Sequence, residues 1–396
     1  MSQLNRRHFL QHAAGLSALA VPSLSFLSAL RAQEKTLKKQ HKSLIILWMG
    51  GGPTTLDLWD PKPGHPNGGQ FKPINTAVSG IQVTELLPNV AKQMKHLAVI
   101  RSLSTTEGDH NRGTTLMNTG RTPSPLVDFP ALGSVLAYQN QESAGDIPSF
   151  VTIGGMRAGP GFLGMKFAPF TVNNPGRPPE NTSPPQGIAE ARMQRRAALF
   201  GRVERGFEVS TRTATGPARA HAEVYDKALS LVVSSRKDVF LLDKEPAALR
   251  EEYGDNPFGR GCLLARKLVE AGSVCVQVTL GGWDNHQNIA NALNNANGTG
   301  RANLLDKGMG ALVRDLADRG LLKDTAIVWM GEFGRTPRIN QNAGRDHYPR
   351  AWSVVVGGGR IKGGQVYGAT DAGGEAVTDG KIGVGDLYAT LYAALG

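Results

Sequence analysis

Short runs of almost unbroken apolar residues punctuate the chain: SLIILWM at 43 to 49, LAVIRSL at 97 to 103, SFVTIG at 149 to 154, SVCVQVTL at 273 to 280, TAIVWM at 325 to 330 and WSVVVGG at 352 to 358. Runs this brief, rich in β-branched residues and bounded by glycine, suit strands covered on both faces. Between them lie stretches of helical period. GRGCLLARKLVEAG is one, and ANLLDKGMGALVRDLADRGLL is another, in which Leu305, Met309, Leu312, Val313 and Leu316 share a face and Gly320 is placed to cap the end. Strand, helix and strand in succession predict a mostly parallel sheet wrapped by helices.

At 396 residues, 40% of them hydrophobic, the chain can bury one large core that carries insertions. Residues 157–187 hold too many prolines for regular structure and are too long for a plain connector, so they read as a lid. A charged, helical stretch follows to Tyr253 and reads as an insertion packed on the main sheet. Residues 40–396 are therefore expected to form a single domain, with lid and helical insertion at about 157–253. Cys262 and Cys275 read as two small buried hydrophobes and not as a disulfide.

Residues 1–32 read as a targeting segment, with a charged start in NRRHFLQ and an apolar stretch in AAGLSALAVPSLSFLSAL. Arg6 and Arg7, with Phe9 and Leu10 behind them, look like a twin-arginine signal cleaved near Ala29 or Ala32. The mature protein is thus expected in the periplasm or outside the cell. No later apolar run reaches bilayer-spanning length, which argues against an integral membrane protein. The formal charge is +11, but residues 1–40 supply +5 of it, and the remainder is spread thinly with no basic run interleaved with aromatics. A nucleic-acid partner is not expected, and a mild preference for anionic ligands is.

In open α/β sheets, ligands collect beyond the carboxyl ends of the strands, where loops from several segments converge. Here those ends are chemically loaded. SLIILWM runs into a loop with Asp57, Asp60 and His65, and LAVIRSL into one with Glu107, Asp109, His110 and Arg112. SVCVQVTL leads to GGWDNH with Asp284 and His286, TAIVWM to GEFGRTP with Glu332 and Arg335, and GRDHYP brings Arg345, Asp346 and His347 just before the next strand. One acidic residue or histidine after a strand is usually a cap or a turn former. Carboxylate with imidazole or guanidinium at successive strand ends points instead to a metal site, and that donor mixture suits Zn²⁺, Mn²⁺ or Fe²⁺ better than Mg²⁺.

LWMGGGPTTLDLWDPKP, GCLLARKLVEAGSVCVQVTLGGWDNH, DRGLLKDTAIVWMGEFGRTP and GRDHYPRAWSVVVGGGRIKGGQVYGATD, together with the twin-arginine start, resemble the exported family called domain of unknown function 1501. That family is similar in fold to the alkaline phosphatase and sulfatase superfamily. The resemblance implies an alkaline phosphatase-like three-layer α/β/α sandwich with one or two metals at the sheet's carboxyl edge. On that pattern Asp284 and His286 resemble an aspartate and histidine ligand pair. Glu332 falls where members have the aspartate of an Asp-His pair, with Phe333 replacing the histidine, and His347 resembles the late histidine ligand. Glycines stand where the first-strand aspartate would be, leaving Asp57 or Asp60 to serve.

HNRGTTLMNTGR ends in the T-G-R of sulfatases, which puts His110 at their nucleophile position. No cysteine lies there, so formylglycine chemistry is not expected. A serine or threonine nucleophile would have to come from Ser104, Thr105, Thr106, Thr114 or Thr115, and His110 reads as a ligand or general base ahead of a nucleophile. Near the end, GDLYATL has Gly385 and Tyr388 where relatives tend to have histidines, and it also fits a closing helix capped by Asp386.

These readings amount to an expected metal-dependent hydrolase of phosphate or sulfate esters, on a small molecule or a polysaccharide. The ligands would be Asp284, His286, Glu332, His347 and Asp57, holding one or two divalent ions, zinc or manganese ahead of calcium. His110 and Arg335 would be catalytic, and Arg112, Arg345 and Asp346 would bind substrate. The alternative is a non-catalytic module in which a metal only staples loops together.

Overall fold

The computed structural model describes residues 42–140, 147–179 and 236–396, with scattered positions between 187 and 234. The expected signal segment and most of the expected helical insertion lie outside the described residues. Each of the apolar runs forms a strand of one eight-stranded sheet. In chain order the strands are β1 (Ser43–Gly50), β2 (Leu97–Leu103), β3 (Phe150–Ile153), β4 (Phe170–Val172), β5 (Cys275–Gly281), β6 (Thr325–Met330), β7 (Trp352–Gly358) and β8 (Gln365–Tyr367). Their spatial order is β8-β2-β7-β6-β1-β5-β3-β4. β1 pairs in parallel with both β5 and β6, whereas β7 runs antiparallel to β2 and β6.

That single reversal matters. The carboxyl ends of β1, β2, β5 and β6 share one edge with the amino end of β7, so the segment entering β7 meets the loops leaving the others.

Alternation along β1 sorts its side chains to opposite faces, Ile45, Leu47 and Met49 to one and Leu44, Ile46 and Trp48 to the other, and both faces are buried. The first face is covered by α4 (Pro257–Glu270) and α5 (Arg301–Asp318), with α3 (Ala247–Tyr253) against them. On the second lie α1 (His110–Thr119), α2 (Leu132–Gln139) and α6 (Val384–Leu395). The result is a three-layer α/β/α sandwich with a mostly parallel sheet.

Local chemistry explains the helix boundaries. Asn256 caps α4 by accepting from the backbone N–H groups of Phe258 and Gly259 at 3.0 Å, with Pro257 in the first turn. α5 turns Leu305, Met309, Leu312, Val313 and Leu316 inward, and Gly320 at φ 70° ends it. α6 opens with the Asp386 carboxylate accepting from Gly383 N–H, and Tyr388 is buried with its hydroxyl donating to Met117 O. Tyr388 therefore serves packing. Cys262 and Cys275 are free and buried, as their apolar surroundings imply. Of the expected lid, residues 157–179 include two 3-10 turns, Gly161–Leu163 and Met165–Phe167, and then β4, which adds a strand to the sheet. None of the helices among the described residues is long and apolar enough to cross a membrane.

The helices on the first face are tied by a buried ionic web. The Arg266 guanidinium, 1% exposed, donates to Asp315, Glu270 and Glu245, and the Tyr253 hydroxyl also donates to Asp315. Removing the cation strips the buried Asp315 and Glu245 of their shared partner and leaves Arg319 and the Tyr253 hydroxyl on the first and Lys267 at 3.6 Å on the second, so Arg266→Ala is expected to cost about 3 kcal/mol, read from urea unfolding of the two proteins.

Candidate metal centre

At the shared edge the loops after β2, β5 and β6 and the segment before β7 bring three imidazoles around one carboxylate. His110 is the first residue of α1, behind the capping Asp109. Asp284 and His286 leave β5 through GGWDNH, and His347 pairs with Arg335 in a two-residue antiparallel bridge next to β7. Ligand atoms of His110, Asp284 and His347 lie within 4.8 Å of one another. His286 completes the group, its Nε2 being 3.0 Å from Asp284 Oδ1 and 3.1 Å from His347 Nε2.

Each imidazole is oriented from behind through Nδ1. His347 Nδ1 donates to the Gly108 carbonyl at 2.8 Å, His110 Nδ1 to Glu332 Oε1 at 2.9 Å, and His286 Nδ1 to Asp346 Oδ1 at 2.6 Å. A carbonyl or ionised carboxylate only accepts, so each Nδ1 carries a proton, and in that tautomer of the neutral ring the lone pair of Nε2 is the one left for a cation. All three lone pairs turn toward Asp284, the His110 and His347 Nε2 atoms standing 3.3 and 3.2 Å from its oxygens. Such an arrangement repels itself unless a cation or proton sits within it.

Metal ligation fits. Two nitrogens bound tetrahedrally to one zinc are about 3.3 Å apart, near the observed His286–His347 separation, and carboxylate-anchored histidines are the usual form of such ligands. A second orphan lies close by: Glu332 is 3% exposed, its Oε1 accepts from His110 and from Gly51 N–H, and its Oε2 has no partner among the described residues.

One guanidinium holds the group in place. Arg335 is 1% exposed, and it donates through Nε to Gly52 O, through Nη1 to Arg345 O, and through Nη2 to Gly51 O and to Asp284 Oδ1 at 2.6 Å. Burial alone would raise the Asp284 pKa, but the hydrogen bond and the charge of the Arg335 guanidinium hold it well below the usual carboxylate range. Glycine after β1 permits the fit, because Gly51 has φ 113° and a side chain there would meet the Asp284 backbone nitrogen at 2.5 Å.

Several expected roles change hands. Asp57, expected as a ligand, and Arg345, expected at the substrate, instead pair in the interior: Arg345 Nε and Nη2 donate to the two Asp57 oxygens at 2.7 and 2.9 Å, and neither residue is exposed by more than 2%. They brace the frame. Asp60 is likewise taken up, by Lys62, Arg101 and the Thr370 hydroxyl. Glu332 and Asp346 stand behind histidines, as orienting acceptors. His110 stands in the inner group with Asp284 and His347, and Glu332, expected there, stands behind it. Arg335 has no free hydrogen-bonding edge for an anion, and its contacts make it a positioning residue. Arg112 is half exposed and pairs through Nε and Nη2 with Glu107 at 2.7 Å. Phe333 is wholly buried with its ring 5.0 Å from His110 and 4.5 Å from His347, forming an apolar floor where the resemblance would have a histidine.

Two contributors carried no recognisable sequence signal. Gly108 acts only through its carbonyl. Asn340 holds the His286 loop by donating to His286 O at 3.0 Å and to the Asp346 carboxylate.

A family model described as a protein of unknown function (DUF1501) matches residues 41–396. No curated protein matches the chain in sequence. Among solved structures, the chain is similar to the PsFucS1 sulfatase from Pseudoalteromonas sp., at 15% identity and a TM-score of 0.38, with 93% of this chain and 70% of that one covered. It is also similar to a protein in the alkaline phosphatase superfamily from Vibrio parahaemolyticus (13% identity, TM-score 0.37, 90% and 67% covered). The alkaline phosphatase from the Antarctic bacterium TAB5 aligns at 14% identity and a TM-score of 0.33, with 83% and 94% covered. These likenesses concern general layout alone.

Because Asp346 orients His286 without joining the inner group, Asp346→Asn is expected to weaken divalent-metal affinity about 10- to 100-fold without abolishing it. Competition with a chromogenic chelator measures this, and an affinity equal to that of the unaltered protein would contradict the assigned role.

Proposed function

The chain belongs to the DUF1501 family, and from that premise we propose that it is a metal-dependent hydrolase of anionic esters, phosphate or sulfate, borne on a small molecule or a polysaccharide. The observation that carries this reading is the convergence of three back-anchored imidazoles on the Asp284 carboxylate at the carboxyl edge of the sheet. His110, Asp284, His286 and His347 would hold the ion, and one carboxylate with three imidazoles favours zinc or manganese over calcium, which prefers oxygen. A divalent cation bound there supplies Lewis acidity toward the ester oxygen and acidifies water.

The chain's own residues prepare that place. Arg335 fixes Asp284 and keeps it ionised, and Glu332, Asp346 and Gly108 O hold the imidazoles in the tautomer that leaves Nε2 free. Buried Phe333 excludes water from behind His110 and His347. His110 begins α1, so an ester anion at the cluster would also lie toward the positive end of that helix.

A second reading, a binding module in which the metal staples loops, is favoured by a specific observation. Arg335 and Arg345 are sealed inside, and the hydroxyls of Thr105 and Thr115 are engaged with the carbonyls of Pro349 and Asn111. Turnover separates the two readings. The purified protein, given zinc, manganese or calcium, is expected to hydrolyse chromogenic phosphate or sulfate esters, and Asp284→Ala is expected to lose both bound metal and hydrolysis. Full metal content with no turnover supports the stapled module, and a protein that takes up no metal sinks both.

Export by the twin-arginine route belongs to the same reading and rests on Arg6, Arg7, Phe9 and Leu10. Replacing both arginines with lysine is expected to leave the full-length precursor in the cytoplasmic fraction. Unchanged recovery from the periplasm or medium would refute that route.

A further inference from the structure

Beside the metal cluster lies a cleft of about 460 Å³, bordered by the Gly282 and Asn285 backbone turn, by Asn291 and Asn295, and by Thr299 and Arg301 at the start of α5. Two of its lining residues, Gly282 and Asn285, come from the same turn that carries Asp284 and His286. Asn295 and Thr299 bond each other, but three other polar groups of the cleft have no partner among the described residues. Arg301 makes no hydrogen bond or ion pair among the described residues, Asn285 Oδ1 is buried without a partner, and the exposed Asn291 amide has none either.

Arg301 lies against the turn. Gly282 has φ 88°, and a side chain there would meet the guanidinium at 2.5 Å, so the second glycine of GGWDNH leaves that space to the arginine. The α5 terminus adds to the same field. Its cap is Gly300, which offers no side-chain acceptor and cannot be replaced by a capping residue, because a Cβ there would sit 2.2 Å from Leu293 O.

We propose that this cleft is a substrate subsite that receives a second, non-reacting oxyanion, a carboxylate or sulfate, on the hydroxyl-rich portion of a saccharide ester. The inference rests on the hydrolase reading and deepens it by naming the substrate class as an anionic saccharide. The guanidinium fork matches a carboxylate or sulfate through paired hydrogen bonds, and amides place donor and acceptor side by side, as neighbouring sugar hydroxyls require. The single uncompensated cation explains why an uncharged sugar would not suffice.

Titration calorimetry with uncleavable probes tests the cleft apart from any turnover. Trigalacturonate supplies carboxylates, galactobiose sulfated at O6 supplies sulfate, and plain galactobiose supplies neither. At least one charged probe is expected to bind the intact protein, galactobiose much more weakly, and whichever charged probe binds identifies the oxyanion. Arg301→Met is expected to weaken that binding about tenfold or more, the loss of a charge-assisted hydrogen-bond pair, while Arg301→Lys retains part of it and thermal melting checks that both variants fold. The proposal is overturned if no probe binds, if galactobiose binds as well as the charged probes, or if Arg301→Met binds normally while metal chelation abolishes binding. Absence of ester hydrolysis with intact Arg301-dependent binding would fail the hydrolase reading and leave the anionic-saccharide site standing.

Discussion

The buried guanidinium of Arg335 is the contact on which the carboxyl edge of the sheet depends. It gathers the carbonyls of Gly51 and Gly52 after β1, the carbonyl of Arg345 before β7 and the carboxylate of Asp284 after β5 onto one rigid fork. A lysine could not replace it, since one ammonium cannot span acceptors spread over three loops in a plane. Burying that charge is tolerable because its donors end on four oxygens, with His286 Nε2 at 3.4 Å from Nη1. The same commitment removes it from solvent and from any incoming anion.

The fold was legible because its signal is repeated. Each apolar run became a strand, since a strand covered on both faces has little freedom to be anything else. The face of α5 followed from helical period alone. What the runs could not convey was direction. That β7 reverses is a property of pairing, and only the reversal explains why a histidine preceding a strand, His347, joins residues that follow strands.

The site was legible in membership more than in role. Clustering at strand ends brought out His110, Asp284, His286, Glu332, Arg335, Asp346 and His347, and the structure gathers all of them at one place. Residue type could not say which carboxylate faces a cation and which stands behind an imidazole. Glu332 and Asp346 differ from Asp284 only in what their oxygens already hold, and that depends on backbone geometry at Gly51 and Asn340. Asp57 and Arg345 misled for a related reason: 288 positions apart, they satisfy each other completely in the interior, a pairing that no local pattern reveals.

Two residues shape the character of the edge. Glycine follows β1 and the buried Phe333 ring forms an apolar floor, so Asp284 is the one carboxylate among the imidazoles of the inner group. Fewer anionic ligands leave a bound divalent ion with more residual positive charge, which raises its own pull on an oxyanion. Under the proposed hydrolase reading, that residual charge would offset the withdrawal of Arg335 and Arg345 into the frame. Positive charge available to a substrate would then have two sources, the ion at the reacting group and Arg301 in the neighbouring cleft, separated by the GGWDNH turn. A ligand answering both must carry two oxyanions on a scaffold long enough to pass that turn.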